Sequence, residues 1–307
     1  MIDLSQMITE QQNPKTLNLD QMTALEMVTV INQEDEQVIT AIRAILPEIA
    51  RAVEATTECL KKGGRLIYLG AGTSGRLGVL DAVECPPTFG TAPEMVVGLI
   101  AGGEGAFVKA VEGAEDSQTL AEKDLRQLSL NEKDMVIGLA ASGRTPYVIY
   151  GLKYARHLGC KTAAITCNHD SEMAKEADIV MEAIVGPEVL TGSTRLKAGS
   201  AQKMILNMIS TGSMVGIGKV YQNYMVDLKR SNEKLVTRSE NIIMATTGCQ
   251  RAEAKLALDQ AGGSVKLAIV RIISDLPVEQ ASDYLEQAEG NVRQALKKIQ
   301  ARKAARD

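Results

Sequence analysis

Tryptophan is absent from the 307-residue sequence and aromatic residues make up only 3% of it, so the stacking platforms that hold single-stranded nucleic acids are missing. A basic field is missing too: 34 Lys and Arg face 38 Asp and Glu, and a net charge of -4 gives a polyanionic partner no electrostatic footing. The cysteines, Cys59, Cys85, Cys160, Cys167 and Cys249, are odd in number and scattered, with no Cys-x-x-Cys pair, which argues against a disulfide framework or a zinc site. His157 and His169 are the only histidines; neither stands in a triad or a metal-ligand spacing, so both read as structural or solvated and no metal is expected. No run of about 18 apolar residues occurs, and Met1-Ile2-Asp3-Leu4-Ser5-Gln6 lacks the charged-then-apolar pattern of a leader. These absences predict a soluble cytoplasmic protein with reduced thiols, and neither nucleic acid nor membrane as a partner.

What is present is a succession of patterns. Residues 1–18 are polar and carry Asn13-Pro14, the mark of an extended arm suited to embracing a partner subunit. Asp20 is placed to cap a first helix through Leu25, Val28 and Ile31, and a second and third are expected on either side of Pro47. Gly63-Gly64 ends that region. From Arg65 onward the pattern alternates: Leu66–Leu69, Met95–Ile100, Met135–Leu139, Thr162–Thr166 and Ile179–Ile184 are apolar runs separated by helical stretches. Such alternation predicts an α/β fold with a five-stranded parallel sheet and helices on both faces. The connection between Gly102 and Lys133 has room for a helix through Val108 and Val111 and another through Leu120 and Leu125. A long helix is expected from about Leu196 to Ile217. In the last third, the segment from Leu258 to Ile269 is echoed 27 residues later by Leu285 to Leu296, each copy a helix end, a glycine stop and a new helix. This segment reads as a small helical domain resembling the three-helix ubiquitin-associated (UBA) type, a packing or dimerisation module. The resulting division is 1–63 for the arm and N-terminal helices, 64–244 for the sheet domain and 245–307 for the helical domain.

In an open parallel sheet, ligands gather beyond the carboxyl ends of the strands. Three loops of like chemistry fall there: Gly72-Thr73-Ser74-Gly75-Arg76, Ala141-Ser142-Gly143-Arg144-Thr145-Pro146, and Thr191-Gly192-Ser193-Thr194-Arg195-Leu196-Lys197. Glycine beside Ser or Thr gives short donors and accessible backbone N–H groups at helix starts, which suits a phosphate monoester. The candidate ligand-binding residues are therefore Gly72, Thr73, Ser74, Gly75, Ser142, Gly143, Ser193, Thr194 and Lys197. Gly70-x-Gly72-x-x-Gly75 also meets the dinucleotide fingerprint, but the acid that fingerprint needs about 20 residues on is missing, the nearest beyond the second strand being Glu104. No Gly-Lys-Ser/Thr closes the turn, so a Walker loop is excluded. A sugar phosphate fits better than a dinucleotide, and no cofactor is expected.

Two acidic stretches could supply proton transfer. Pro86-Pro87 is expected to stop the helix after the first loop, leaving Glu84 in a last turn, where the partial negative charge of the helix end would raise its pKa. In Val111-Glu112-Gly113-Ala114-Glu115-Asp116-Ser117 any of the acids could face a cleft, and Asp116 or Ser117 could instead cap the next helix.

Taken together, Leu69 to Gly78, Glu84-Cys85-Pro86-Pro87-Thr88, Glu112 to Asp116, Ala141 to Tyr147 and Thr191 to Gly199 closely resemble the N-acetylmuramic acid 6-phosphate etherase family, in the same order and from Met7-Ile8-Thr9-Glu10 to the helical tail. The resemblance implies a sugar-isomerase (SIS) three-layer phosphosugar-binding fold and a homodimer. It also implies a carbon–oxygen lyase that cleaves the D-lactyl ether of N-acetylmuramic acid 6-phosphate by elimination and then hydration, giving N-acetylglucosamine 6-phosphate and D-lactate. It nominates Glu84 as proton donor and Glu115 as the second acid/base. The alternatives are a phosphosugar-binding regulator that sequesters a partner, like the glucokinase regulatory protein, an aldose–ketose isomerase on the same fold, and a sugar-responsive transcription factor. Ten residues of helix between Ser74 and Glu84 span roughly 15 Å. That exceeds the reach from a C6 phosphate to C2 or C3, so either this helix breaks early or a carboxyl arrives from a second subunit.

Overall fold

The computed structural model describes residues 7–228 and 233–305. The chain divides into two compact units, one running through Val83 and resuming over Pro93–Thr211, the other made of Glu84–Ala92 and the chain from Gly212 onward.

In the first unit the N-terminal segment forms short 3-10 turns at Ile8–Glu10, Pro14–Thr16 and Leu19–Gln21. It is sewn down: the Asn168 side chain accepts from the Ile8 N–H (2.8 Å) and donates to Thr9 Oγ1 (3.0 Å). Helix α1 is Ala24–Ala44 and α2 is Leu46–Lys61. The three helices expected here are thus two, because Thr23 and Glu26 form a reciprocal capping box that starts a continuous 21-residue helix. Asp20 lies in the preceding 3-10 turn and caps nothing there.

Strand β1, Leu66–Gly70, is wholly buried and leads into α3, Gly72–Phe89. Then come β2 (Val96–Ile100), α4 (Leu120–Gln127), β3 (Met135–Leu139), α5 (Pro146–His157), β4 (Lys161–Thr166), β5 (Ile179–Glu182) and α6 (Lys197–Gly216). The sheet is parallel throughout, in the order β2-β1-β3-β4-β5, with Gly70 registered against Leu139. Alternation along each strand sends side chains to opposite faces. Ile67, Leu69, Val136 and Ala164 join one core with Ala121 and Leu125 of α4 and Val148 and Leu152 of α5. Tyr68 points the other way, against Gly78 of α3, and its hydroxyl donates to Asp81, which also accepts from Ser210 of α6. Helices therefore cover both faces, as the five apolar runs predict.

The helix expected through Val108 and Val111 does not form. Glu104–Phe107 is a 3-10 turn and the chain to Ser117 is irregular, with Gly103 and Gly113 at positive φ and Val108 89% exposed. Gly103, Gly105 and Gly113 in so short a stretch raise the entropy cost of helix beyond what two valines offset.

In the second unit, β6 (Val220–Tyr221) and β7 (Tyr224–Met225) form a small antiparallel pair. They are followed by α7 (Glu233–Thr247), α8 (Arg251–Gln260), α9 (Val265–Ser274), α10 (Val278–Gln287) and α11 (Val292–Ala304). The 27-residue echo is structural: α8–α9 and α10–α11 are two helix–glycine–helix pairs. Ser264 and Asn291 cap the second helix of each by accepting from the N–H three residues on. Two such pairs make four helices where three were expected. Their apolar core also takes in Tyr221, Val226, Leu228, Ile242 and Ile243, so this unit begins well before residue 245.

Candidate functional site

In the strand order 2-1-3-4-5 the connections leave β1 and β3 in opposite directions, and the crevice outside the carboxyl ends of those two strands is where such sheets bind ligands. The first two hydroxyl loops leave these adjacent strand ends.

The first loop is shaped by close backbone approach. A Cβ at Gly70 would lie 2.7 Å from the Gly75 nitrogen, and one at Gly75 would lie 2.7 Å from both the Gly70 oxygen and Ile100 Cγ1. These two glycines let α3 start directly on β1. Gly72 differs: its φ is +52°, it is exposed, and a Cβ there would meet nothing within 4 Å. It is the glycine that leaves room for a ligand rather than for the protein. Arg76 turns away, donating to the carbonyls of Ala106 and Phe107 and so holding the irregular 104–117 stretch.

In the second loop Gly143 has φ +68° and packs against Ser171, while Ser142 Oγ accepts from the Arg144 N–H at 3.2 Å. Thr145, buried at the start of α5, donates from Oγ1 to Glu115 Oε1 at 3.1 Å, and the Tyr147 N–H donates to the Glu115 carbonyl at 3.0 Å. Among the acids of 112–116, Glu115 is therefore tied to a hydroxyl loop at a strand end, with its carboxylate exposed. Glu112 instead lines an open groove with Gly102, Lys123 and Asp124.

The third loop precedes α6, whose first turns rest on the first loop: a Cβ at Gly199 would lie 3.6 Å from Thr73 Cγ2, and Ser74 Oγ donates to Gln202 Oε1 at 2.8 Å. Ser193 and Thr194 are half-buried in a turn closed by Ser193 N–H to Leu190 and Gly199 N–H to Thr194. The start of α6 is already filled. The Glu188 carboxylate accepts from the N–H groups of both Lys197 and Ala198 at 3.0 Å, and burial pushes its carboxyl up despite those two bonds.

Lys197 is placed otherwise than an open phosphate ligand: it is 1% exposed and its Nζ donates to Glu34 Oε2 at 2.7 Å. Glu34 also accepts from Lys15 and Asn13, each at 2.8 Å. Burial alone would raise the Glu34 carboxyl, but bonds from Lys15, Lys197 and Asn13 outweigh it and bring it down to about 2. This network of Glu34, Lys197 and Glu188 was not legible in the sequence, since its members are far apart in the chain and none carries a motif.

Glu84 is exposed on α3, but not in a last turn: the helix runs through Pro86 and Pro87 to Phe89. The prolines cost donors only near the helix end, Cys85 and Phe89 are buried and hold the segment by packing, and Gly90 closes it with an N–H bond to the Pro86 carbonyl. The early break that would shorten the distance from Ser74 to Glu84 is thereby excluded.

Of the residues foreseen, Gly72, Thr73, Ser74, Ser142 and Gly143 leave neighbouring strand ends, and the first loop is touched by the α6 start that follows Ser193 and Thr194. Gly75 is a packing glycine. Thr145 lies in the second hydroxyl loop, but its part as the anchor of Glu115 carried no sequence signal, and neither did Gln202 as the partner of Ser74. His169 pairs with Glu182 at 3.0 Å. Among the described residues no group of His, Cys, Asp and Glu could hold a metal, and no helix is long and apolar enough to cross a membrane.

Residues 48–156 match the glucokinase regulatory protein N-terminal SIS domain and residues 117–212 the SIS domain. A phosphoheptose isomerase from Francisella tularensis superposes with a TM-score of 0.50 at 20% identity, over 63% of this chain and 100% of that one, a likeness of fold alone. The N-acetylmuramic acid 6-phosphate etherase of Pasteurella multocida (strain Pm70) is 57% identical over 94% of this chain and 96% of its own. That of Serratia proteamaculans (strain 568) is also 57% identical, over 96% and 99%. With identity at that level along nearly its whole length, the chain belongs to the N-acetylmuramic acid 6-phosphate etherase family.

Proposed function

We propose that this protein cleaves the D-lactyl ether of N-acetylmuramic acid 6-phosphate, giving N-acetylglucosamine 6-phosphate and D-lactate, and that it works in the cytoplasm as a homodimer. The observation that carries the reading is the placement of Glu115: an exposed carboxylate fastened by Thr145 to a hydroxyl loop at the β1/β3 switch point, in a chain 57% identical to etherases.

An unactivated ether has no good leaving group, so direct hydrolysis is the harder route. In the ring-opened sugar the C1 carbonyl acidifies the C2 proton. A carboxylate takes that proton, the C2–H electron pair becomes the C2=C3 bond, and the C3–O bond breaks as an acid protonates the departing lactate. Water then adds at C3 and a proton returns to C2. Glu115 serves as base, its Oε1 steadied by Thr145 and its other oxygen directed to the proton; Glu84 serves as acid. Each such group contributes on the order of 10²–10⁴-fold. The 6-phosphate is held by Gly72, Thr73 and Ser74, with Ser142, Gly143, Ser193 and Thr194 around it. Lys197 acts at one remove, fixing the third loop through Glu34.

Because α3 is unbroken, Ser74 and Glu84 lie roughly 15 Å apart along it. The acid that meets a sugar anchored at Ser74 is therefore Glu84 of the second subunit. Mixed dimers of Glu84→Gln and Glu115→Gln chains regain activity on this reading, each mixed dimer holding one intact site. Lactate release from N-acetylmuramic acid 6-phosphate tests the reaction itself. Tight phosphosugar binding with no lactate would leave a regulator of the kind the 48–156 match describes.

A further inference from the structure

Gln202 is 1% exposed on α6, on the face that rests against the first loop. Its Oε1 accepts the Ser74 hydroxyl proton at 2.8 Å, while its Nε2 is buried with no hydrogen-bond partner. A buried amide donor without a partner is uncommon, and here it means that the Gln202 amide is held through its oxygen alone, with no hydrogen bond on the nitrogen side to resist its turning. Ser74 supplies the reason to turn. A hydroxyl has one proton, and in the free protein Ser74 gives it to Gln202. A phosphomonoester presents acceptor oxygens, so a Ser74 that binds it must give the proton to the phosphate instead. Its Oγ lone pairs would then face the Gln202 carbonyl oxygen at hydrogen-bond distance, which is repulsive. Turning the terminal amide by about 180°, a soft twofold torsion, replaces that oxygen with Nε2.

We propose that Gln202 is a positioning residue for phosphosugar binding: on arrival of the phosphate its amide reverses, Nε2 donates to Ser74 Oγ, and the Ser74 proton is released to the phosphate. The proposal rests on the reading of Ser74 as a phosphate ligand. It gives the site a selectivity that the loop alone lacks. The reversal follows the Ser74 proton, so a ligand that can only accept there, as a phosphate dianion does, engages it, whereas a group that donates to Ser74 leaves Gln202 as it stands.

The test follows the Gln202 side-chain amide by NMR in the full-length protein carrying ¹⁵N-glutamine, with N-acetylglucosamine 6-phosphate as the probe and affinities measured by calorimetry. The Nε2 protons are expected to move downfield on saturation in the wild-type protein and to stay in place in Ser74→Ala, itself weakened on the order of 10- to 100-fold in binding. Gln202→Met is expected to weaken binding several-fold in the wild-type background and not at all in the Ser74→Ala background, because its effect passes through Ser74. Amide protons that stay put on saturation of the wild-type protein, or an equal loss from Gln202→Met in both backgrounds, would overturn the proposal while leaving Ser74 as a ligand. Unaltered binding by Ser74→Ala would instead remove the first loop from the phosphate site, and the proposal with it.

Discussion

Glycine and hydroxyl residues stand at the start of both α3 and α6: Gly72-Thr73-Ser74-Gly75 forms the first turn of α3 itself, while Gly192-Ser193-Thr194 lies in the loop before α6, and the first N–H groups of each helix lack helical partners. The protein treats them oppositely. At α3 the first residue is an exposed glycine at positive φ with open space around it. At α6 the Glu188 carboxylate occupies the N–H groups of Lys197 and Ala198, and the Lys197 amine is buried on Glu34. One helix start lies open, and on the proposed reading it takes an external anion; the other has been given an internal one. If the proposed phosphate site is right, the third loop contributes its hydroxyls and its fixed position, and the first contributes the helix terminus itself.

The catalytic end of that division carries the largest expected effect. Glu115→Gln and Glu84→Gln each lower kcat by on the order of 10²–10⁴-fold while phosphosugar affinity stays within a few-fold of wild type. Stopped turnover with lost binding would place these acids at the anchor instead.

Next comes the buried network behind α6. Glu34→Gln leaves Lys197 without its counter-charge, and a loss of about 3 kcal/mol in unfolding free energy is expected from denaturant titration. The pH dependence has a defined sign. The folded Glu34 carboxyl lies at about 2, below its ordinary 4.5, so its stabilisation is complete above pH 4.5 and fades as pH falls towards 2. Acid unfolding of Glu34→Gln should lack that portion of the slope.

A smaller effect sharpens the contrast most cleanly. Glu188→Ala empties the α6 start and should lower the melting temperature by several degrees, as expected for about 1–2 kcal/mol at a helix terminus. Added inorganic phosphate should then restore part of the loss in this variant and do less for the wild type. Equal response in the two would mean that α6 has no latent anion site.

The smallest effect belongs to Gly72→Ala. Its backbone lies in the left-handed region, so about 1 kcal/mol of stability is lost even though the methyl group meets nothing. Gly75→Ala, which must displace the Gly70 carbonyl, should cost more. If the two substitutions cost the same, the distinction between a ligand glycine and a packing glycine fails.

The strands were legible because each is a mainly apolar run bounded by turn residues, wholly buried in β1 and β3 and partly so in β2 and β5, and the alternation of runs with helical stretches fixes a parallel sheet. The first two loops followed from topology once the strands were known. Helix ends were less legible. Pro86-Pro87 reads as a stop, yet burial of Cys85 and Phe89 carries α3 past it. Val108 and Val111 read as a helix, yet three glycines and a lack of buried contacts prevent one. The site's supporting contacts were not legible: Glu34, Glu188 and Gln202 carry no motif, Thr145 stands in a hydroxyl loop with nothing to show that it meets Glu115, and all four act through partners 9 to 163 positions away that no local pattern encodes. Between Glu112 and Glu115 the residues alone gave no preference; the Thr145 hydroxyl supplies one.

The central claim is that a sugar anchored through its phosphate at the β1/β3 switch point loses lactate by elimination across C2 and C3. Running the reaction in deuterated, ¹⁸O-enriched water tests it most directly. The account predicts deuterium at C2 of the N-acetylglucosamine 6-phosphate product and ¹⁸O at its C3 hydroxyl, with unlabelled D-lactate. Oxygen label in lactate, with C2 still carrying its original proton, would show attack on the lactyl carbon and contradict the account.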